Sequence, residues 1–237
     1  MRKVAILLIL TGIAGAAGAA ILTQGSIGRG RGVELPRRDR SCPGILHLNY
    51  DGSIENAYCW QYNQCYPPYY GAFAECYQGG DCVTGVELKL TGIGYPCSAC
   101  DIYVWADDGG IPGAVLRRMT GFNPCPIATW PNVSTHDACL DPPCTIDGAP
   151  FWVGFFPTDP LWLCGYWVAA DTNGPGGCPF TNIAPQTGYP TGWHDCSIVW
   201  GPTAAIGIGA WIGQGDACAG PVPTRESSWG RIKQTYE

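Results

Sequence analysis

Apolar and polar positions alternate in short runs along most of the chain. In residues 83–90 (VTGVELKL), Val86, Leu88 and Leu90 fall on one face and Glu87 and Lys89 on the other. That is the period of two of a strand buried on one side. Residues 101–106 (DIYVWA) set Ile102 and Val104 against Tyr103 and Trp105. Residues 114–119, 151–156, 163–171, 197–200 and 204–213 also read as strands. Clusters of Pro, Gly, Asn and Asp separate these runs, as in DTNGPGG (171–177) and TGYPTG (187–192). Short strands at this spacing, with no helical period between them, predict an all-β chain folded as an antiparallel β-sandwich or jelly roll.

Composition strengthens that reading. Thirty-four glycines and 21 prolines disfavour long helices, while 10 Trp and 12 Tyr supply a core that a disordered chain would lack. The cysteines set the compartment. They are Cys42, Cys59, Cys65, Cys76, Cys82, Cys97, Cys100, Cys125, Cys139, Cys144, Cys164, Cys178, Cys196 and Cys218. An even number spread across the chain predicts a disulfide framework formed in an oxidising space. Several are close in sequence, and hairpins would join neighbours such as Cys59/Cys65, Cys76/Cys82, Cys97/Cys100, Cys139/Cys144 and Cys164/Cys178. Cys97-Ser98-Ala99-Cys100 also has the spacing of half a zinc site. With no second such pair and no histidine nearby, it reads as structural.

The N-terminus carries Met1-Arg2-Lys3, an apolar run over 4–13 and the small-x-small triplet Ala17-Gly18-Ala19, the pattern of a secretory signal peptide over 1–20. Residues 21–41 hold five arginines and read as a flexible basic leader, with Arg37-Arg38-Asp39-Arg40 a potential processing site. The disulfide-stapled β-sandwich occupies 42–219. Residues 220–237 form a C-terminal tail, where Ser227 or Ser228 would cap a short helix carrying Trp229 and Ile232. Residues 42–224 carry fifteen carboxylates against Lys89, Arg117 and Arg118. So acidic a body repels phosphate backbones, which excludes nucleic acid as a partner. The expected partners are the protein itself, a cell-surface or extracellular molecule, or a glycan. No membrane span remains after signal cleavage.

The segment DIYVWADDGGIPGAVL (101–116) poses the first chemical question. Asp107 and Asp108 are calcium candidates, as are Asp171 and Asn173 in DTNG. A calcium loop wants alternating oxygen donors, whereas adjacent aspartates followed by two glycines suit a tight bend. The expectation is therefore a bend and no cofactor, with calcium as the alternative. His47, His136 and His194 fall in no paired metal spacing, and no GxSxG elbow accompanies Ser134 or Ser197. A glycosidase needs one neutral and one ionised carboxyl, and Glu55, Glu75 and Glu87 are the only glutamates in the body. Glu75, among aromatics, is the one whose pKa could rise. Loop-borne aromatics are the stronger binding candidates: Tyr66, Tyr69, Tyr70, Trp130, Trp162, Tyr189 and Trp193. The strand-borne Trp105, Trp152, Trp167, Trp200 and Trp211 are assigned to the core.

The stretch DIYVWADDGGIPGAVL resembles a motif of secreted bacterial β-sandwich domains, in which a VYVWDD-type strand runs into GGxPGxVL. Residues 182–213 and the terminal SSWGRIKQTYE are similar to later parts of the same domains. The family is uncharacterised, so the resemblance implies a fold and a secreted location and assigns no catalytic residue. The expected role is thus a non-enzymatic structural or surface-associated protein that associates with itself. A calcium-assisted carbohydrate-binding module is the alternative, and a glycoside hydrolase using Glu75 or Glu55 stands behind both.

Overall fold

A computed structural model of the chain describes residues 24–27, 30–36, 41–60, 67–94, 97–158 and 167–219. The predicted signal peptide, the Arg37–Arg40 site, Tyr66, Trp162, Cys65, Cys164 and the tail lie outside them. The first nine strands are β1 (Gln24–Ser26), β2 (Val33–Glu34), β3 (Ile45–His47), β4 (Asn56–Trp60), β5 (Phe73–Tyr77), β6 (Cys82–Thr91), β7 (Cys100–Asp107), β8 (Pro112–Phe122) and β9 (Asn132–Thr145). They are followed by β10 (Phe151–Pro157), β11 (Trp167–Asp171), β12 (Phe180–Ile183), β13 (Gly192–Asp195), the helical turn α1 (Ser197–Trp200), β14 (Ala205–Ile206) and β15 (Ile208–Gly213).

The strands form two sheets, and the chain is an all-β, disulfide-rich sandwich. One sheet runs β1-β4-β11-β6-β15-β3, with β9 on the other side of β6, β14 beside β11 and β2 parallel to β9. The other runs β13-β12-β5-β10-β7-β8. Val86, Leu88 and Leu90 from the first sheet meet Ile102, Val104, Val153 and Phe155 from the second in the main core. Neighbours such as β5 and β10 are far apart in sequence, as crossed β-sandwich connections require.

The alternation in β6 holds, but its polar face is covered as well. All ten residues are buried, Glu87 at 1% and Lys89 at 4% exposure. Tyr50 donates its hydroxyl to Glu87 (2.9 Å), and the Lys89 ammonium donates to Glu34 and to Thr135 (2.7 Å), with Glu87 at 3.6 Å. A buried charge persists only when paired and hydrogen-bonded, and these partners come from remote segments. Glu34 belongs to the predicted flexible leader. That segment is instead built into the sheet: Gln24–Ser26 pairs with β4, and Val33–Glu34 pairs with β9.

Among the described residues, four disulfides join Cys42–Cys139, Cys76–Cys178, Cys82–Cys218 and Cys97–Cys125. The neighbour pairings expected for Cys76, Cys97, Cys139 and Cys178 are corrected. Three of the bridges span 97, 102 and 136 residues, because the cysteines that meet across this sandwich come from distant parts of the chain. Cys144 and Cys196, expected in the framework, are buried thiols. Burial, with Asp195 and Glu75 nearby, pushes the Cys196 thiol well up, which keeps it protonated. Gly85 lets the Cys42 bridge lie against β6, since a Cβ there would strike the Cys42 sulfur and the Ala138 carbonyl. Such a framework fits an oxidising compartment. Among the described residues no helix is long and apolar enough to cross a membrane.

Candidate functional site

A cleft of about 780 Å³ opens where β4, the β11–β12 loop and α1 meet. Four residues, SIVW, are too few to show a helical period, and the reading of 197–200 as a strand is corrected here. Val199 and Trp200 donate their amides to the Cys196 carbonyl, both at 3.0 Å, and Gly201 stops the turn at φ 84°. That positive φ is open to glycine, and Pro202 cannot continue a helix. Val199 anchors the turn in the core, which leaves Trp200 half-exposed and lining the cleft. The indole stacks on Tyr58 at 4.7 Å and 7°, with Trp60 and Phe73 at 5.2 and 5.5 Å. Tyr58 is itself fixed by Thr203, 3.0 Å from its hydroxyl, and burial raises its pKa.

Polar groups surround this aromatic surface. Asp51, Ser53, Glu55 and Asn56 come from the segment entering β4, Asn173 from the β11–β12 loop and Arg31 from the N-terminal arm. Asp171, fully buried, holds the two loops together. Its Oδ2 accepts the Asp51 amide (3.0 Å), and its Oδ1 accepts those of Asn173 (2.9 Å) and Gly174 (2.7 Å). Glu55 Oε2 adds a second tie by accepting the Thr172 amide (3.0 Å). Hydrogen bonds from Ser53 hold the exposed Asp51 carboxyl below the usual carboxylate range, so it is ionised at neutral pH. A half-exposed indole beside carboxylates, amides and a hydroxyl presents an apolar patch among directed hydrogen-bonding groups, as small-ligand sites do.

Glu75 does not belong to this cleft. Its side chain on β5 is fully buried and accepts from Asn49 Nδ2 (3.0 Å), the Cys178 amide and the Ile206 amide (3.1 Å). Burial, opposed by these bonds, pushes its pKa up to about 7. The rise expected from the sequence is present, but the carboxyl is sealed in packing. Gly177 lies so close that a Cβ there would strike Glu75 Oε1 and Asn49.

The five described loop aromatics are scattered, and none lines the cleft. Tyr69 packs edge-on against Tyr103 (5.3 Å) and Trp105 (6.2 Å), and Trp193 against Trp105 (5.3 Å), on the outer face of the second sheet. Trp130 packs against two small clusters near the N-terminal arm, Tyr189 rests on the main core, and Tyr70 is half-buried. Trp105, Trp152, Trp167 and Trp211 are core residues as expected, and Trp200 also packs against the main core while its remaining surface lines the cleft. The signal of that cleft-lining surface was Gly201-Pro202, a stop directly after an aromatic.

The 107–110 segment is a bend. Asp107 accepts the Gly110 amide (3.1 Å) and the Trp152 indole N–H (2.8 Å), while the Asp108 amide donates to Ile111 (2.9 Å). The carboxylate oxygens of Asp107 and Asp171 thus face N–H donors, a setting for an acceptor rather than for a cation. Among the described residues no group of three or more His, Cys, Asp and Glu side chains could hold a metal ion. Ser134 Oγ lies 2.8 Å from His136 Nε2, not beside His194, and also meets the Leu90 carbonyl and the Ala128 amide. No family model, curated protein or solved structure matches the chain.

Proposed function

We propose that this chain is an extracellular, non-catalytic carbohydrate-binding β-sandwich whose binding site is the Trp200 cleft. The observation that carries the reading is the indole fixed on Tyr58 in a cleft also lined by Asp51, Ser53, Glu55, Asn56 and Asn173. A pyranose offers the matching chemistry: an apolar C–H face for the ring, and hydroxyls that both donate and accept around its edge. Glycoside hydrolysis is disfavoured by the same geometry. It needs one carboxyl kept neutral next to the ligand. Asp51 is held ionised, Glu55 is engaged by the Thr172 amide, and Glu75, which has the raised pKa, is buried elsewhere.

The test is a glycan array followed by calorimetry on the wild type and Trp200→Ala. The wild type should bind at least one oligosaccharide class with unchanged affinity in chelator. Trp200→Ala should weaken it at least about tenfold, the loss expected of a central aromatic anchor. Full affinity in Trp200→Ala would move the site away from this cleft.

Self-association, which the sequence placed first, is a second reading, supported by β8. This eleven-residue end strand exposes Val115 and Leu116 at 39% and 45%, the kind of edge that pairs with another chain. Light scattering of the wild type and Val115→Lys separates it from glycan binding.

A further inference from the structure

The Trp200 cleft adjoins two further surface depressions. A second, of about 320 Å³, is bordered by Leu46, Leu48, Tyr50, Asp51 and Lys89. A third, of about 590 Å³, is bordered by His47, Leu48, Asn49, Gln78 and the half-exposed Cys76–Cys178 bridge. Asp51 borders both the first and the second, and Leu48 both the second and the third. The loop after β11 borders the first and the third. Thr172 and Asn173 lie in the first depression, Gly177 and Cys178 in the third. One stretch of backbone, residues 47–53, therefore passes all three, over at most about 20 Å.

Each depression repeats the same chemistry in different residues. The first sets Trp200 against Asp51 and Asn173. The second sets Leu46 and the exposed Leu48 against the carboxylates of Asp51 and Glu34. The third sets Leu48 and the disulfide against His47, Asn49 and Gln78. An apolar surface beside hydrogen-bonding groups, recurring in three adjoining depressions, matches a polymer whose units repeat. A single terminal sugar would fill only one depression. Resting on the carbohydrate reading above, we infer that the ligand is a linear polysaccharide bound along its length, with the Trp200 cleft as its principal subsite and the His47–Gln78 depression as a distal one.

The experiment measures affinity by calorimetry for gluco-, manno- and chito-oligosaccharide series, mono- through hexasaccharide. In the series that binds, affinity should rise with length by about tenfold or more before levelling. Trp200→Ala should weaken every length. His47→Ala with Gln78→Ala, both exposed side chains, should reduce the gain with length about fivefold or more, the loss expected for two polar contacts. Affinity that does not change with length overturns the extended site and leaves the single-cleft reading standing. A rise with length that the double variant leaves intact also overturns it, because the added units then lie elsewhere. Binding in no series, with no hit on the glycan array, removes the carbohydrate reading itself.

Discussion

Glu75 makes the stability of this protein depend on pH in an unusual direction. A paired surface carboxylate has a lowered pKa and stabilises the fold above it. Glu75 is fully buried and its pKa moves up, from 4.5 to about 7. The folded state then binds a proton more tightly than the unfolded chain. The Glu75 contribution is fully present below pH 4.5 and is lost as pH rises through about 7. At about 1.4 kcal/mol per unit, the shift corresponds to about 3 kcal/mol across that window. Glu75→Gln removes the titration while keeping the volume. One N–H donor would then meet the Gln amide nitrogen, a pH-independent loss of about 1–3 kcal/mol. The assay is denaturant unfolding with disulfides intact, from pH 4 to 8, on both proteins. The wild type should lose about 3 kcal/mol relative to the variant between the ends of the range. A wild type that instead gains on the variant as pH rises would refute the reasoning. It would show that the three donors from Asn49, Cys178 and Ile206 outweigh burial and hold the group ionised.

Two further substitutions test how the site is supported. Asp171→Ala leaves three amides without their acceptor, so it should destabilise the fold by about 3 kcal/mol in chemical denaturation and weaken oligosaccharide binding through the displaced 172–174 loop. Lys89→Met leaves Glu87 and Glu34 without their cation and should cost about 3–5 kcal/mol; limited proteolysis should then cut the N-terminal arm before the body. A variant with wild-type stability and an intact arm would mean that Lys89 does not hold the arm in place.

The parts of the fold legible in the sequence are those fixed by neighbours in the chain. The β7–β8 hairpin could be read from alternation and from the Asp-Gly and Pro-Gly turns, because turn chemistry is local. The period of two in β6 was equally visible, but not the burial of Glu87 and Lys89, since Tyr50 and Glu34 reach them from 37 and 55 residues away. Disulfide partners were misassigned for the same reason: sequence proximity suggests hairpin bridges, and this sandwich joins cysteines about a hundred residues apart. The cleft draws on residues 31, 51–56, 58, 172–173 and 200, segments that no spacing rule connects. Aromatic-rich loops drew attention to Tyr69 and Trp193, whose rings are instead packed on the second sheet.

The placement of two bridges has a mechanical consequence. Cys42 and Cys218, the outermost bridged cysteines among the described residues, are tied to Cys139 and Cys82 on adjacent strands β9 and β6. Tension applied between those two cysteines reaches the Cys82–Cys218 bond after only about 40 residues of chain. Pulled taut, the body could lengthen to roughly 140 Å, where the unbridged polypeptide would reach roughly 600 Å. Shear at a surface would therefore meet a tether of fixed length, and most of the chain would never carry the load.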